Sequence, residues 1–237
     1  MDALIFFLIG IGIICIFVFG YRLSKKRERG FMDAAFKLGF SSSRQITKHV
    51  YDTMKKFRLF NERRITYRGS VAQGEREDVM WSVFNINVRS SSFRPQRDET
   101  PWHETIAHAQ IKDHVFPAFL LRRAHLGDII RNAFGYRDIS FNSHPEFSKL
   151  YQLEGEDEQA IRELFAPHIL TFFEQKNRQY MESVKNFGII GFGGKMPNVE
   201  ATGSEFIFSF NYTEIAPQEL PGFLDEASEI LRVFLNR

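Results

Sequence analysis

The amino-terminal segment of the chain restricts its folding more than any other feature. Ala3 to Gly20 (ALIFFLIGIGIICIFVFG) carries no charged and no strongly polar side chain. As a helix these residues would span about 27 Å, close to the ~30 Å hydrocarbon core of a bilayer. A helix on the surface of a soluble protein keeps a polar face, whereas this segment is apolar on every side. The sequence therefore predicts a transmembrane anchor over residues 1–21.

Positive charge follows the apolar segment and does not precede it, since only Met1 and Asp2 stand before it. The juxtamembrane residues 22–30 hold a basic cluster, which consists of Arg22, Lys25, Lys26, Arg27 and Arg29. A cleaved signal peptide carries its positive charge before the apolar run, and the positive-inside rule places a basic flank in the cytoplasm. We therefore expect an uncleaved single-pass protein of the cell (inner) membrane, with its amino terminus outside and its carboxy-terminal domain cytoplasmic.

The basic cluster also accounts for the charge of the whole chain. Residues 1–30 carry five basic and two acidic side chains, so the net charge of +2 becomes −1 over residues 31–237. Each basic side chain near an anionic membrane surface contributes on the order of 1 kcal/mol to binding. The cluster is thus a candidate contact for anionic lipid headgroups, or a determinant of topology alone. A domain so close to neutral is not expected to bind nucleic acid.

Composition indicates a folded unit beyond the anchor. Hydrophobic residues make up 43% and charged residues 25% of the 237 residues, which is ordinary for a globular domain. The single cysteine, Cys15, excludes a disulfide framework and a thiolate zinc cluster. Phenylalanine occurs 26 times against 7 tyrosines, which predicts a large aromatic core. We expect a soluble domain over residues 31–237, either undivided or in two lobes that cover residues 31–137 and 138–237.

Apolar periodicity predicts an α+β fold. Residues 79–89 alternate apolar and polar side chains, as a half-buried strand does, and residues 217–235 repeat apolar side chains with helical spacing. Further strands are expected at 65–73, 104–112, 115–122, within 138–153, at 187–192 and at 205–212. Further helices are expected at 31–39, at 44–60, after residue 155 and from Pro167. The short connections favour a mostly antiparallel sheet, with the helices packed on one face.

One segment carries a recognisable motif, because residues 138–165 read DISFNSHPEFSKLYQLEGEDEQAIRELF. The residues that form it are Ile139, Phe141, Pro145, Glu146, Phe147, Ser148, Tyr151, Leu153, Gly155, Asp157 and Glu158, followed by Leu164, Phe165 and Pro167. The segment resembles a pattern found in a family of uncharacterised bacterial single-pass membrane proteins with a short amino-terminal anchor. The resemblance implies an anchored domain, and it brings no activity and no ligand with it.

Residues 98–114 contain the densest group of side chains that could support chemistry. The group consists of Asp98, Glu99, His103, Glu104, His108, Asp113 and His114. A histidine beside a carboxylate can act as a general base, and His108 and His114 share the parity that metal ligands on one strand need. The glycine-rich residues 188–195 lack the first glycine and the Ser/Thr of a phosphate-binding loop, so they indicate a hairpin. The sequence therefore assigns no catalytic residue, metal ligand or cofactor.

Three functions stay open at this point. The leading hypothesis is a membrane-tethered cytosolic domain with a binding or scaffolding role and no catalysis, whose partners are the bilayer and a protein that the sequence does not identify. A hydrolase-like enzyme of unfamiliar motif would use the histidines and carboxylates of residues 98–114. A structural subunit of an envelope complex would be part of a larger native assembly. The basic stretch 44–68 is a further candidate surface, facing either solvent or the membrane.

Overall fold

A computed structural model describes residues 2–43, 46–61, 64–89, 102–124, 138–187, 196–211 and 213–236 of the chain. Within these ranges, the side chains outside the description are those of residues 2–10, 13, 17, 49, 64, 89, 181 and 183–187. The helices are α1 (Asp2–Lys37), α2 (Lys48–Met54), α3 (Arg58–Asn61), α4 (Pro145–Leu150), α5 (Glu158–Leu164), α6 (Pro167–Phe187), a 3₁₀ turn (Pro217–Glu219) and α7 (Leu220–Phe234). The strands are β1 (Ser41–Ser43), β2 (Arg64–Arg76), β3 (Val79–Arg89), β4 (Trp102–Gln110), β5 (Phe116–Arg123), β6 (Tyr151–Gly155), β7 (Pro197–Gly203) and β8 (Glu205–Phe210).

The described strands form one sheet in the order β1-β2-β3-β4-β8-β7-β5-β6. Every neighbouring pair in this order is antiparallel, as short connections between strands require. The strand β5 lies between β7 and β6, so the two halves of the chain share one continuous sheet. The predicted α+β fold with a mostly antiparallel sheet is therefore confirmed.

One face of the sheet, here called the first face, carries the larger core. Helices α4 to α7 and the carboxyl-terminal part of α1 pack on it, and the core is rich in phenylalanine. Phe234 of α7 is 2% exposed and lies at the centre of this aromatic packing. The rings whose centroids lie 5.4–6.4 Å from its own are those of Phe116, Phe119, Phe165, Phe173 and Phe206. The abundance of phenylalanine in the sequence is thus explained by this core.

The opposite face, here called the second face, carries a smaller core. Val50, Met54 and Phe57 of the α2–α3 segment pack there against apolar side chains of β2, β3, β4 and β8. The prediction that the helices pack on one face is therefore wrong for α2 and α3. The physical reason lies in the central strands, which are apolar on both sides: Val83 points to the first core and Phe84 to the second. A strand buried on both faces gives no sign of which helix covers which side.

The helix α1 is continuous from Asp2 to Lys37 and joins the apolar segment to the domain without a break. Phe31 and Ala35 fix its carboxyl-terminal part in the first-face core. Nearer the amino terminus its described side chains are exposed, including Ile16 and Phe19. In the part of the chain whose side chains are described, no helix is long and apolar enough to cross a membrane. The predicted anchor over residues 1–21 falls in large part on side chains outside that description.

Most of the elements predicted from periodicity are present, and two are wrong. Residues 145–150 were expected to be extended and form α4, because Pro145 and Glu146 suit the first turn of a helix. Residues 197–203 were expected to be a loop and form β7, which is paired on both sides. The predicted strand at 187–192 and the glycine-rich hairpin fall outside the described residues, apart from Phe187 at the end of α6.

Candidate functional site

The base of α1 is attached to the domain by polar contacts as well as by its apolar side chains. Arg27 pairs with Glu214, at 3.3 Å between Nη1 and Oε2, and Arg68 of β2 reaches the same carboxylate at 3.3 Å. Ser70 donates a hydrogen bond to Glu28 at 3.0 Å. Because Glu214 is nearly buried, with 9% of its side chain exposed, this pairing fixes the helix more firmly than a surface ion pair would.

Because α1 packs against the domain, the five basic side chains of the predicted cluster do not all face the same way. Arg27 turns toward the domain, as its pairing with Glu214 shows. The other members are exposed and lie on an outward surface of the helix, together with Tyr21 and Asp33. The ammonium group of Lys25 sits 5.0 Å from the centre of the Tyr21 ring. The helix therefore presents Arg22, Lys25, Lys26 and Arg29 on a surface that the domain leaves exposed.

A polar cavity of about 100 Å³ opens on the second face, beside α3. Its walls are formed by Arg58, Leu59, Leu120, Arg122, Glu154, Asn198, Val199, Glu200, Ile207 and Ser209. Glu154 and Glu200 are each 5% exposed, although they are carboxylates on strands. Buried carboxylates need partners, so the contacts of these two decide what the cavity can do.

Each buried carboxylate in the polar cavity is held by the α3 segment. Glu154 of β6 accepts a hydrogen bond from Nη1 of Arg58 at 2.6 Å, and Nη2 of Arg122 lies 3.5 Å from its other oxygen. Glu200 of β7 accepts hydrogen bonds from the backbone N–H groups of Arg58 and Leu59. The two carboxylates therefore bind the first residues of α3 to strands that are remote from it in sequence.

The polar cavity is electrically balanced. Two guanidinium groups, of Arg58 and Arg122, and two carboxyl groups, of Glu154 and Glu200, line it, so the formal charges of its walls cancel. Ser209 contributes a hydroxyl group, which donates to Glu104 at 2.6 Å. The side-chain oxygen of Asn198 is buried and has no hydrogen-bond partner among the described residues. What this arrangement can do is hold α3 in place and offer neutral polar groups to a small molecule.

The structure does not bring the histidines of residues 98–114 together. His103 and His108 point to opposite faces of β4, where His103 contacts Asn87 at 2.7 Å and His108 contacts buried Glu205 at 2.7 Å. His114 follows β4 and packs against the ring of Phe116. Among the described residues no group of His, Cys, Asp and Glu is suited to hold a metal ion. Asp98 and Glu99 lie outside the described part of the chain.

The motif at residues 138–165 has structural roles in this fold. Asp157 caps α5 by accepting a hydrogen bond from the N–H of Ala160 at 3.0 Å. Phe147 and Tyr151 are buried in the first-face core, where their rings stack at 5.3 Å between centroids. Exposed Glu146 pairs with Arg178 at 3.2 Å. These contacts agree with a segment that shapes the fold.

Sequence reasoning missed the residues of the polar cavity. Gln152 and Glu154 alternate with buried Tyr151 and Leu153, a pattern that ordinarily means a polar, solvated strand face. The burial of Glu154 depends on Arg58, which is 96 positions away, and Gln152 accepts a hydrogen bond from Arg122, which is 30 positions away. One feature of the sequence could have indicated the cavity: β6 and β7, the strands on either side of β5, are short and each carries a glutamate, Glu154 and Glu200.

Comparison of the chain with family models, with curated proteins and with solved structures finds no match. The fold, the base of α1 and the polar cavity are therefore the basis for assigning a function.

Proposed function

We propose that this chain is a single-pass membrane protein whose α+β domain works by binding at the cytoplasmic face of the inner membrane, without catalysis. The observation that carries this proposal is the continuity of α1. One helix begins in the apolar segment, passes through the basic cluster and ends in the first-face core at Phe31 and Ala35. A continuous docked helix transmits its position to the domain, whereas a flexible linker would let the domain move freely.

The outward surface of α1 supports the bilayer as the first partner. Arg22, Lys25, Lys26 and Arg29 lie within the ten residues that follow Gly20, about 15 Å along a helix. The headgroup region adds about 5–7 Å on each side of the hydrocarbon core, so the first three of these side chains would reach anionic headgroups. The family resemblance of residues 138–165 implies the same anchored arrangement.

The anchor and its orientation are tested in a bacterium with the full chain. We expect the protein to stay with membranes after alkaline extraction, whereas a chain that begins at Tyr21 is released. Alkaline phosphatase fused to the carboxyl terminus is expected to be inactive, because that enzyme requires the periplasm. A fused phosphatase that is active, or a full-length chain that alkali extracts, would overturn the proposal.

The division of the basic cluster provides a matched control for the same assay. Replacing Arg22, Lys25, Lys26 and Arg29 together by glutamine removes the positive flank, so phosphatase activity is expected to rise as the orientation becomes mixed. Replacing Arg27 alone by glutamine keeps four basic side chains and is expected to leave the fusion inactive. Equal activity in the two variants would contradict this role of the outward surface.

The binding role is tested by thermal unfolding of the full chain in detergent. Candidate ligands are glycerol phosphate as a headgroup probe and small neutral polar molecules that fit the polar cavity. A ligand present at 100 times its dissociation constant adds about 2.7 kcal/mol to the free energy of unfolding. We expect one of these classes to raise the unfolding midpoint, and a reaction product detected from any of them would overturn the assignment as a non-catalytic protein.

A further inference from the structure

The helix α1 and the strand β2 run in the same direction, as their contacts show. Nη2 of Arg68 lies 3.4 Å from Oγ of Ser24, and Oγ of Ser70 lies 3.0 Å from Oε1 of Glu28. Beyond the helix, the ring of Phe40 lies so close to Gly74 that an added Cβ would meet it at 2.4 Å. Residue numbers therefore increase together along both elements, and the beginning of β2 points toward the apolar segment.

This shared direction sets the level of the sheet relative to the apolar segment. Thr66 precedes Arg68 by two residues, which is about 6.6 Å along a strand. Arg68 is level with Ser24 of α1, which its guanidinium group contacts. A distance of about 6.6 Å corresponds to about four residues of helix, so Thr66 is level with the residue four before Ser24, which is Gly20. Gly20 is the last residue of the apolar segment, so Thr66 would stand where the hydrocarbon core gives way to headgroups.

The register extends this level across the sheet. Thr66 pairs with Asn87, and Asn87 pairs with His103, so the three residues form one row over β2, β3 and β4. The strand β4 runs in the direction of β2, because both are antiparallel to β3. Val115, which is 78% exposed, follows the far end of β4. From His103 to Gln110 the strand covers about 23 Å, so Val115 lies far from the row.

The side chains around this row suit a membrane interface. Tyr67 is the next residue of β2, and its ring lies 5.6 Å from that of Tyr51, which is 44% exposed. The ammonium group of Lys55 sits 4.6 Å from the centre of the Tyr51 ring and 3.2 Å from Oδ1 of Asp52, and both charged side chains are at least half exposed. Trp102, at the start of β4, is partly buried in the second-face core. Tyrosine and tryptophan beside basic side chains are the residues that membrane interfaces favour.

From this geometry we infer that the domain lies against the bilayer with the end of the sheet that contains Thr66, Asn87 and His103, and that anionic headgroups are the partner of this end. The inference rests on the proposed function, because it takes α1 to be inserted up to Gly20. It goes further in assigning to the domain itself a membrane-facing end, formed by the row and by Tyr51, Lys55 and Trp102, and a distant end at Val115.

The test places one fluorescent label at either end of the full chain. Cys15 is the only cysteine, so a C15A background leaves the thiol of Thr66→Cys or of Val115→Cys as the single site for labelling. Both positions are exposed, which keeps the two variants matched in their effect on folding. Each protein is reconstituted into vesicles of phosphatidylcholine with phosphatidylglycerol, and quenching by a lipid spin-labelled at its headgroup is measured.

We expect several-fold stronger quenching at residue 66 than at residue 115, and a fall in quenching at residue 66 when phosphatidylglycerol is left out. Equal quenching at the two sites, in proteins that resist alkaline extraction from the vesicles, would overturn the inference and leave the anchor standing. Loss of both proteins from the vesicles would overturn the proposed function and the inference with it. Quenching at residue 66 that is the same in both lipids would overturn the assignment of anionic headgroups as the partner.

Discussion

The two faces of the sheet are built on different principles. The first face is packed with phenylalanine rings around Phe234, and its helices are held mainly by apolar contact. The second face combines a small apolar core with buried carboxylates, of which Glu154 and Glu200 are held by the α3 segment. On the first face stability follows from filled volume, whereas on the second it depends on each charge keeping its partner.

The difference has a consequence for how α3 is positioned. Burying an ion pair costs desolvation that its attraction only partly offsets, so such pairs contribute little net stability. Removing one partner is nevertheless costly, because the other charge is left buried. We therefore attribute to Glu154 and Glu200 the placement of α3 over the sheet, and to the phenylalanine core most of the free energy of unfolding.

The largest effect is expected from a cavity in the first-face core. Phe234→Ala removes a ring that five other phenylalanine rings surround, and such a change costs about 3–5 kcal/mol of unfolding free energy. Phe36→Ala is the matched control, since Phe36 is 79% exposed on α1 and its loss is expected to cost almost nothing. Urea unfolding of the full chain in detergent measures both. Similar midpoints for the two variants would show that the phenylalanine core does not dominate stability.

The second face is tested by removing the charge of Glu154 while its two arginine partners stay in place. Glu154→Gln keeps the shape of the side chain but leaves the guanidinium groups of Arg58 and Arg122 without their carboxylate. We expect a loss of about 2–3 kcal/mol, below the full value for a buried pair because Arg58 is partly exposed.

The control for that variant is another glutamate–arginine pair. Glu158 and Arg162 of α5 are 2.7 Å apart and both about half exposed, so Glu158→Gln is expected to cost no more than about 0.5 kcal/mol. Urea unfolding of the two variants gives the comparison directly. If the two losses are equal, burial does not strengthen the dependence on pairing, and the contrast between the two faces does not hold.

Much of the fold follows from local patterns in the sequence. The alternation in residues 79–89 matches β3, and the apolar repeat of residues 217–235 matches the 3₁₀ turn and α7. The face on which α2 and α3 pack could not be predicted, because Val83 and Phe84 are both apolar and point to opposite cores. The strand β7 could not be predicted either, since its proline, asparagine and glycine are typical of loops and its stability comes from two neighbouring strands.

The candidate sites differ in the same way. The basic cluster can be located from the sequence alone, because it is defined by its position after the apolar segment, and its role at the membrane stays a prediction. That Arg27 turns to Glu214 could not be predicted, since the two residues are 187 positions apart. The row of Thr66, Asn87 and His103 depends on strand register, which local patterns leave undetermined when both faces of a strand are apolar.

Glu226 of α7 is an ionisable side chain at the first-face core, and its surroundings predict a dependence of stability on pH. Burial raises the pKa of Glu226 in α7 to about 7; Lys176, 3.9 Å away, lowers it, and Glu229 adds to the rise. The folded chain thus binds the proton more tightly than the unfolded chain does. The stability that Glu226 contributes is complete below its unfolded pKa and is lost as the pH rises through about 7.

Glu226→Gln cannot ionise, so it is expected to remove this loss. At pH 8 the variant should be about 1–2 kcal/mol more stable than the natural chain, and at pH 4 the two should agree within a few tenths of a kcal/mol. Urea unfolding at the two pH values measures the difference. Glu158→Gln, at a half-exposed carboxylate of α5 that pairs with Arg162, is the control and is expected to give no gain at pH 8. A gain that is the same at both pH values would contradict titration as its cause.

The smallest effect is expected from Glu200→Gln, which should loosen the attachment of α3 and leave the rest of the fold unchanged. Glu200→Gln keeps one oxygen for the N–H groups of Arg58 and Leu59 but removes its charge, and a weakened cap of this kind costs about 1 kcal/mol. Because the loss is local, hydrogen exchange of those two amides should quicken while exchange in the first-face core stays unchanged. Asp157→Asn at the cap of α5 is the counterpart, and asparagine caps a helix as well as aspartate does, so the N–H of Ala160 should keep its protection. If both variants quicken exchange equally, burial of the capping carboxylate does not matter, and the second face would place its helix no differently from the first.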